Sequence, residues 1–212
     1  PQSLRATWFR GQGIPRTAGG LECGVIWDLG SHLVDIGLWS TGWNDVDRVF
    51  GYQSTIGGHG GNTGLAGWHG DESLDDALRG VSSDSEGLVA TFGGGEVLDL
   101  SVSWAANTPF DSTRFLLMGT AGTLYLDTVF GFTPDRQQKS YNGLMYSSEK
   151  KGWEQVAAHV AEPNEYRDQW GHFLGNMHTP SVNRELDVVA VGVGITEEAS
   201  KSMTSGRAHV SN

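Results

Sequence analysis

Apolar and polar residues roughly alternate along residues 3–10, as they do in half-buried β-strands. Residues 46–55 fit a second strand. Four more strand-like runs fill the middle of the chain: 88–92, 96–104, 114–118 and 122–126. Short connections rich in Gly, Asn and Pro separate these runs, which predicts that the strands are antiparallel neighbours.

Other segments have the spacing of helices. From Glu22 to about Thr41, apolar residues recur at steps of three and four: Val25, Ile26, Leu29, Leu33 and Ile36. Gly42 is a natural stop for this helix. Residues 163–177 and 184–205 predict two further helices, the second of them closed by Gly206.

The order of these elements predicts an α+β fold, with one open, mainly antiparallel β-sheet and helices packed on one face. Residues 133–160 add at most one or two strands. The 212 residues are enough for one domain with a substantial core, so we expect a single domain over residues 1–212. A sheet with apolar residues on both faces needs a second cover, and a partner subunit is the simplest one, which predicts a homo-oligomer through the sheet face.

Charge and cysteine content exclude several classes of function. The net charge is −11, from 14 basic and 25 acidic residues, which argues against partners such as nucleic acid or an anionic membrane. No apolar run approaches the roughly 20 residues that cross a bilayer. The single cysteine, Cys23, cannot form an internal disulfide, so we expect a reducing, cytoplasmic location and a buried thiol. The first residue is Pro1 rather than Met, which suggests a chain opened in mid-protein.

The segment from Gly24 to Asp35 carries the strongest chemical signal. On a helix, the spacing of Asp28, His32, Asp35 and Trp39 places all four on one stripe. A carboxylate one turn before an imidazole can hold that ring in one tautomer and raise its basicity, which suits proton transfer beside a substrate hydroxyl. The same spacing also fits a solvated Asp–His pair, or a histidine whose hydrogen bonds are satisfied in the core.

The stretch Gly-Gly-Leu-Glu-Cys-Gly-Val-Ile-Trp-Asp-Leu-Gly-Ser-His-Leu-Val-Asp-Ile-Gly-Leu-Trp, residues 19–39, resembles a family signature. It is the pattern Gly-Gly-Gly-x-x-x-Asp-x-Gly-x-His-x-x-Asp-x-x-x-Trp of the glucose–fructose oxidoreductase, inositol dehydrogenase and rhizopine-catabolism (Gfo/Idh/MocA) family. Further stretches agree with that family in order: 8–15, 103–105, 115–127, 169–173 and the closing helix to Arg207.

This resemblance implies one half of a two-domain enzyme. In the family, an N-terminal Rossmann domain binds NAD(P), and a C-terminal sheet domain supplies part of the substrate site and the oligomer interface. By matching position, Asp28 and His32 would be catalytic and would assist a lysine of the N-terminal domain, whereas Asp35 would be structural. Trp8 and Arg10 are candidate substrate contacts, although a core position for Trp8 and a surface strand position for Arg10 are the simpler interpretations.

The sequence departs from the family in two respects. No strand–glycine loop–helix unit for a dinucleotide is found, and the Gly-containing stretch 191–197 fits a helix lying close to the sheet better. The connection over residues 14–20 is short for the family, which suggests missing residues between Pro15 and Gly20. We therefore expect NAD or NADP to be bound mainly by an absent N-terminal domain, and no NAD(P)-linked turnover by this chain alone.

Taken together, the sequence predicts the substrate-side C-terminal domain of an NAD(P)-dependent oxidoreductase acting on a sugar, polyol or related hydroxyl compound. Two other classes stay open: a non-catalytic binding or assembly module, and an NAD-assisted glycosidase or lyase. No metal site is predicted, because His59, His69 and Asp71 lack the tight spacing usual for ligand loops.

Overall fold

The structure is a computed structural model that describes residues 1–11, 24–55, 83–104, 106, 108–128, 142–156, 167, 170–171, 174–175, 184–207 and 209–210. Its strands are β1 (Ser3–Phe9), β2 (Val46–Ser54), β3 (Ser85–Phe92), β4 (Val97–Ser103), β5 (Ser112–Gly119), β6 (Gly122–Thr128), β7 (Asn142–Ser147), β8 (Gly152–Gln155) and β9 (His209–Val210). Its helical elements are a π-helical turn (Ile26–Gly30), α1 (Ser31–Thr41) and α2 (Arg184–Ser205).

The described strands form one open sheet in the order β8-β7-β6-β5-β1-β4-β3-β2-β9. Every neighbouring pair is antiparallel except β1 and β4, which run parallel from Ser3 opposite Val97 to Phe9 opposite Ser103. The predicted α+β fold with a mainly antiparallel sheet is therefore confirmed.

The parallel pair sets the position of two residues beyond the strand ends. Because β1 and β4 run in the same direction, their carboxyl ends meet at one edge of the sheet. Arg10 directly follows β1 and Trp104 directly follows β4. The backbone N–H of Arg10 donates to the Ser103 carbonyl at 2.9 Å, so the two chain segments remain side by side past the last ladder pair.

The core lies between the helices and one face of the sheet, as predicted. Along β1, burial alternates, and Leu4, Ala6 and Trp8 face the core. The buried residues of α1 are Leu33, Val34, Gly37 and Leu38. Buried side chains of β3 and β4 extend the same layer: Leu88, Ala90, Phe92, Leu98, Leu100 and Val102.

Helix α2 lies close to β2 because the strand has a glycine at the contact. A Cβ on Gly51 would lie 2.2 Å from the carbonyl oxygen of Ala199, so a larger residue would push the helix away. The N–H of Gly51 donates to the Ser202 hydroxyl at 2.9 Å, which adds a direct bond between strand and helix. The predicted bounds of this helix, 184–205, are confirmed, and Gly206 closes it with a φ of 66°.

The first helical segment differs from the prediction in its opening turn. Its apolar face is buried as predicted and Gly42 ends it in the left-handed conformation. However, the turn from Ile26 to Gly30 is π-helical rather than α-helical, and the N–H of Ser31 donates to the Ile26 carbonyl five residues back. A Cβ at position 30 would lie 2.6 Å from Ile26 Cδ1, so a larger residue there would require the Ile26 side chain to shift.

The sheet face away from the helices is polar at its centre and apolar on one side. Arg5 and Asp99 form an ion pair at 2.8 Å on the neighbouring strands β1 and β4. Beyond them, the strand register places apolar side chains of β5 to β8 on this face: Leu116, Met118, Tyr125, Leu144, Tyr146 and Trp153. We call these six residues the open-face patch.

Several sequence predictions concern residues outside the described part of the chain. These are the thiol of Cys23, the connection between Pro15 and Gly20, the loop carrying His59 and His69, and most of the helix over 163–177. No helix of the described residues is long and apolar enough to cross a membrane.

Candidate active site

The carboxylate of Asp28 lies over the carboxyl ends of the parallel strands. Its Oδ2 atom accepts a hydrogen bond from the indole Nε1–H of Trp104 at 2.8 Å and one from Nη1 of Arg10 at 3.4 Å. Both donors stand at the ends of the parallel strands, whereas Asp28 belongs to the π-helical turn. These two bonds therefore join the helical segment to the sheet at the point where the strands end.

Arg10 is a buried residue, which corrects the simpler interpretation of a surface strand position. Only 8% of it is exposed. Burial lowers the pKa of its guanidinium, and the negative charges of Asp28 and Asp111 act in the opposite direction. The correction has a physical reason: a residue just past a parallel strand pair is covered by the helical segment, and two carboxylates compensate its charge.

Asp111, the residue before β5, forms a hydrogen bond with the chain just after β1. Its Oδ1 atom accepts a hydrogen bond from the backbone N–H of Gly11 at 2.8 Å. Asp111 is buried and immediately precedes β5, the antiparallel neighbour of β1. The buried guanidinium of Arg10 therefore interacts electrostatically with two carboxylates, Asp28 from the π-helical turn and Asp111 from the residue before β5.

Trp8 connects the guanidinium to the imidazole. The Arg10 guanidinium carbon lies 5.7 Å from the centroid of the Trp8 ring, within the range of a cation–π contact. The ring centroids of Trp8 and His32 lie 5.9 Å apart with a tilt of 47°. Trp8 itself is buried, so the expected core position is correct, although its ring also reaches the candidate site.

His32 is exposed on α1 and lies against Trp8. Among the described residues, the hydrogen bonds to Asp28 come from Trp104 and Arg10, so the direct Asp28–His32 bond expected from the spacing is not formed in this structure. A charged donor and a buried indole N–H at the sheet edge are stronger partners for a carboxylate than a solvated imidazole. The structure nevertheless brings all four predicted residues into one chain of contacts, from Asp28 through Arg10 and Trp8 to His32.

The four residues predicted to share one stripe of the helix, Asp28, His32, Asp35 and Trp39, do not form a single group in the structure. Asp28 turns toward the sheet and its side chain is 27% exposed. Asp35 is exposed on α1, and Trp39 is 68% exposed. The structural role predicted for Asp35 stays a prediction, because no contact of its side chain distinguishes it.

Glu86 is a buried carboxylate at the start of the helical segment that sequence reasoning missed. Its Oε2 atom accepts the backbone N–H of Ile26 at 2.7 Å, and its Oε1 atom accepts the Ser83 hydroxyl at 2.5 Å. The first N–H groups of a helix lack intrahelical partners, and a carboxylate there is favoured by the helix dipole. Gly24, with a φ of 79°, leaves the space that Glu86 occupies, since a Cβ at Gly24 would lie 2.7 Å from Glu86 Oε1.

The described residues contain no group of three or more His, Cys, Asp or Glu side chains that could hold a metal ion. Besides Glu86, sequence reasoning missed Trp104 and Asp111 as members of the site. The signal for both residues lies in the strand order. The parallel pairing of β1 with β4 brings Trp104 to the Asp28 corner, and the antiparallel pairing of β1 with β5 brings Asp111 beside the end of β1.

Comparisons with known proteins agree with this architecture. No family profile matches the chain. A protein of Amycolatopsis mediterranei (strain S699), named as a UDP-kanosamine synthase oxidoreductase subunit, is 31% identical over 136 residues, which are 61% of this chain and 37% of that protein.

Three solved structures show the fold. GenD2 from gentamicin A biosynthesis, solved in complex with NAD, matches 100% of this chain and 55% of its own, with a TM-score of 0.62 and 19% identity. UDP-N-acetylglucosamine 3-dehydrogenase GnnA from Acidithiobacillus ferrooxidans matches 97% and 54%, with a TM-score of 0.63 and 15% identity. Aldose-aldose oxidoreductase from Caulobacter crescentus, complexed with glycerol, matches 99% and 55%, with a TM-score of 0.66 and 14% identity.

The chain thus shares its α+β fold with about half of each of these oxidoreductases, and this is the fold that the sequence resemblance predicted. It spans little more than half the length of these solved structures.

Replacing Glu86 by Gln should change how stability depends on pH. Burial raises the pKa of Glu86, while the bonds from Ser83 and Ile26 act against that rise. A raised pKa in the folded state means that Glu86 favours folding most below its unfolded pKa, and that this contribution is lost as pH rises through the folded pKa. Glu86→Gln should therefore gain unfolding free energy relative to the parent chain as pH rises through that window.

Urea unfolding of both chains over a pH series measures this difference. The control is Glu154→Gln, the same change in an exposed ion pair with Lys150, which should alter the unfolding free energy little. An unfolding free energy of Glu86→Gln that falls relative to that of the parent as pH rises would contradict the raised pKa of the buried carboxyl group.

Proposed function

We propose that the chain is the substrate-side domain of an NAD(P)-dependent oxidoreductase that acts on a hydroxyl group of a sugar or polyol. The observation that carries the proposal is the Asp28 carboxylate, which is fixed at the sheet edge by Trp104 and Arg10 yet remains partly exposed. The exposed imidazole of His32 lies nearby through their shared neighbour Trp8. The fixed Asp28 carboxylate would accept a hydrogen bond from a substrate hydroxyl. The accessible His32 imidazole would exchange the proton of that hydroxyl.

The division of labour follows from the contacts of each group. Oδ2 of Asp28 is engaged by the sheet, and among the described residues no hydrogen bond is made to Oδ1. Oδ1 would accept a hydrogen bond from a substrate hydroxyl and so orient it. His32 would take up or return a proton of the reacting hydroxyl, since its imidazole is exposed and carries ring nitrogens that can accept and donate a proton.

The dinucleotide itself does not fit the described residues. They contain no strand–glycine loop–helix unit, which is the element that holds the diphosphate of NAD or NADP. The cofactor would therefore be bound mainly by another domain of the full-length protein. For the part described here, the proposal covers only the orientation of the hydroxyl and the handling of its proton.

The similar proteins support a sugar as the substrate class. Their names describe action on a nucleotide-linked aminosugar in two cases and on aldoses in another, and GenD2 binds NAD. None of these proteins decides between NAD and NADP for this chain, so both cofactors belong in an assay.

Substitution of the two candidate catalytic residues tests the proposal in the full-length protein. We expect Asp28→Asn and His32→Ala each to lower kcat/KM by roughly 100-fold or more, because each removes a group that acts on the reacting hydroxyl. The measurement is steady-state oxidation of UDP-N-acetylglucosamine and of glucose with NAD⁺ and with NADP⁺.

Asp35→Asn is the matched control, since it makes the same change at an exposed position seven residues after Asp28. It should leave kcat/KM within about 3-fold, the scatter usual for an exposed substitution. Unchanged turnover in both Asp28→Asn and His32→Ala would favour a non-catalytic binding or assembly module instead.

We further propose that the open-face patch is the contact between copies of this chain. Tyr146 and Trp153 lie in contact at one end of the patch, with their ring centroids 5.5 Å apart and their ring planes tilted by 56°, and Trp153 is 55% exposed. A contiguous apolar surface with exposed aromatic residues is typical of protein interfaces. The polar centre around Arg5 and Asp99 would form the rim of that contact.

Trp153→Glu should weaken the assembly. A carboxylate placed in an apolar contact loses its hydration without a partner, so we expect the dissociation constant to rise at least about 10-fold. Sedimentation equilibrium of the chain at micromolar concentration measures it, with Trp39→Glu as control, because Trp39 is equally large and exposed but lies on α1. A parent chain that is strictly monomeric under these conditions would contradict the proposed contact.

A further inference from the structure

We infer that Trp104 is a positioning residue of the proposed active site, one whose indole N–H fixes the rotation of the Asp28 carboxylate so that one oxygen stays turned to the sheet and the other remains for substrate. The inference rests on the proposed function and extends it to a residue that touches neither cofactor nor the reacting atoms.

The first support is that both donors meet the same oxygen. The Trp104 indole and the Arg10 guanidinium both donate to Oδ2 of Asp28, at 2.8 Å and 3.4 Å. The shorter of the two bonds comes from the tryptophan, so the indole, rather than the charged group, defines where Oδ2 lies. With Oδ2 held in this way, rotation of the carboxylate would break the better bond.

The second support is that Trp104 cannot follow a moving carboxylate. Its side chain is fully buried, and its backbone N–H donates to the Asp84 carbonyl at 3.0 Å. A buried indole N–H without an acceptor is costly, so the ring and the carboxylate hold each other in place. Trp104 therefore acts as a fixed point that belongs to the sheet, not to the helical segment.

The third support is the electrostatic surrounding of the carboxylate. Among the described residues, the charged and titratable groups placed at this corner are Arg10, which bonds to Asp28, Asp111, which interacts with Arg10, and His32, which reaches the corner through Trp8. Arg10 attracts Asp28 but also interacts with Asp111, and its bond to Oδ2 is the longer of the two. The single indole N–H of Trp104 donates to Asp28, so this neutral donor adds a fixed direction to that attraction.

Trp104→Phe tests this assignment in the full-length protein, because it deletes the N–H and keeps an aromatic ring. We expect kcat to fall about 10- to 100-fold, the effect of a misplaced catalytic group, with a smaller change in KM.

Trp27→Phe is the matched control. The indole of Trp27 also donates one hydrogen bond, at 3.0 Å, but to the Ser200 hydroxyl, and Trp27 lies in the same π-helical turn as Asp28. It should leave kcat within about 3-fold. Equal losses of kcat in the two variants, or a loss in Trp104→Phe that falls on KM rather than on kcat, would overturn the positioning role.

A second readout does not depend on turnover. In the chain labelled with ¹⁵N-tryptophan, the indole N–H signal that disappears in Trp104→Phe should shift in Asp28→Asn, whereas the signal lost in Trp27→Phe should not. A Trp104 signal unaffected by Asp28→Asn would overturn the inference even in an active enzyme. If the shift is seen but the parent protein oxidises neither sugar, the contact stands and the proposed function is what fails.

Discussion

A buried guanidinium determines the architecture around the candidate site. Arg10 is placed under the helical segment, and an uncompensated cation in that position would be strongly destabilising. The chain meets this constraint with Asp28 from the helical segment and Asp111 from the approach to β5. The requirement to neutralise one charge thus ties three separate stretches of sequence to a single corner.

The same corner exists only because β1 and β4 are parallel. In an otherwise antiparallel sheet, this pair brings two carboxyl ends together, and the residues that follow them, Arg10 and Trp104, both face the π-helical turn. At the other end of that turn, Glu86 accepts the Ile26 N–H and thereby fixes the start of the helical segment. Asp28 is consequently held from the sheet below and by the capped turn around it, while His32 remains exposed on the following helix.

Much of the fold could be predicted from local patterns. The alternation in residues 3–10, the glycine-bounded runs of the middle strands and the apolar spacing of 184–205 report elements whose periodicity is set by burial on one face. The π-helical turn could not be predicted in this way, because Val25, Ile26 and Leu29 also fit an α-helix. The close contact between Gly30 and the Ile26 side chain within this turn is likewise visible only in three dimensions.

The two candidate catalytic residues were predictable from the sequence, but the residues that form hydrogen bonds with Asp28 in the structure were not predicted as its partners. Spacing and family resemblance point to Asp28 and His32 together, since both lie on one helical segment. The partner of Asp28 was not accessible to that reasoning, because Trp104 is 76 positions away and reaches Asp28 through strand pairing. Arg10 was open to misassignment for a related reason: its burial depends on what packs over the end of β1, and not on the alternation within β1.

The central claim is that a carboxylate fixed by the sheet presents its second oxygen to a substrate hydroxyl. A crystal structure of the full-length protein with a dinucleotide and a bound sugar tests it most directly. The account predicts Oδ2 of Asp28 on the Trp104 indole and Oδ1 within about 3 Å of a sugar hydroxyl. A sugar bound away from this corner, or an Asp28 carboxylate turned from Trp104 to His32, would contradict it.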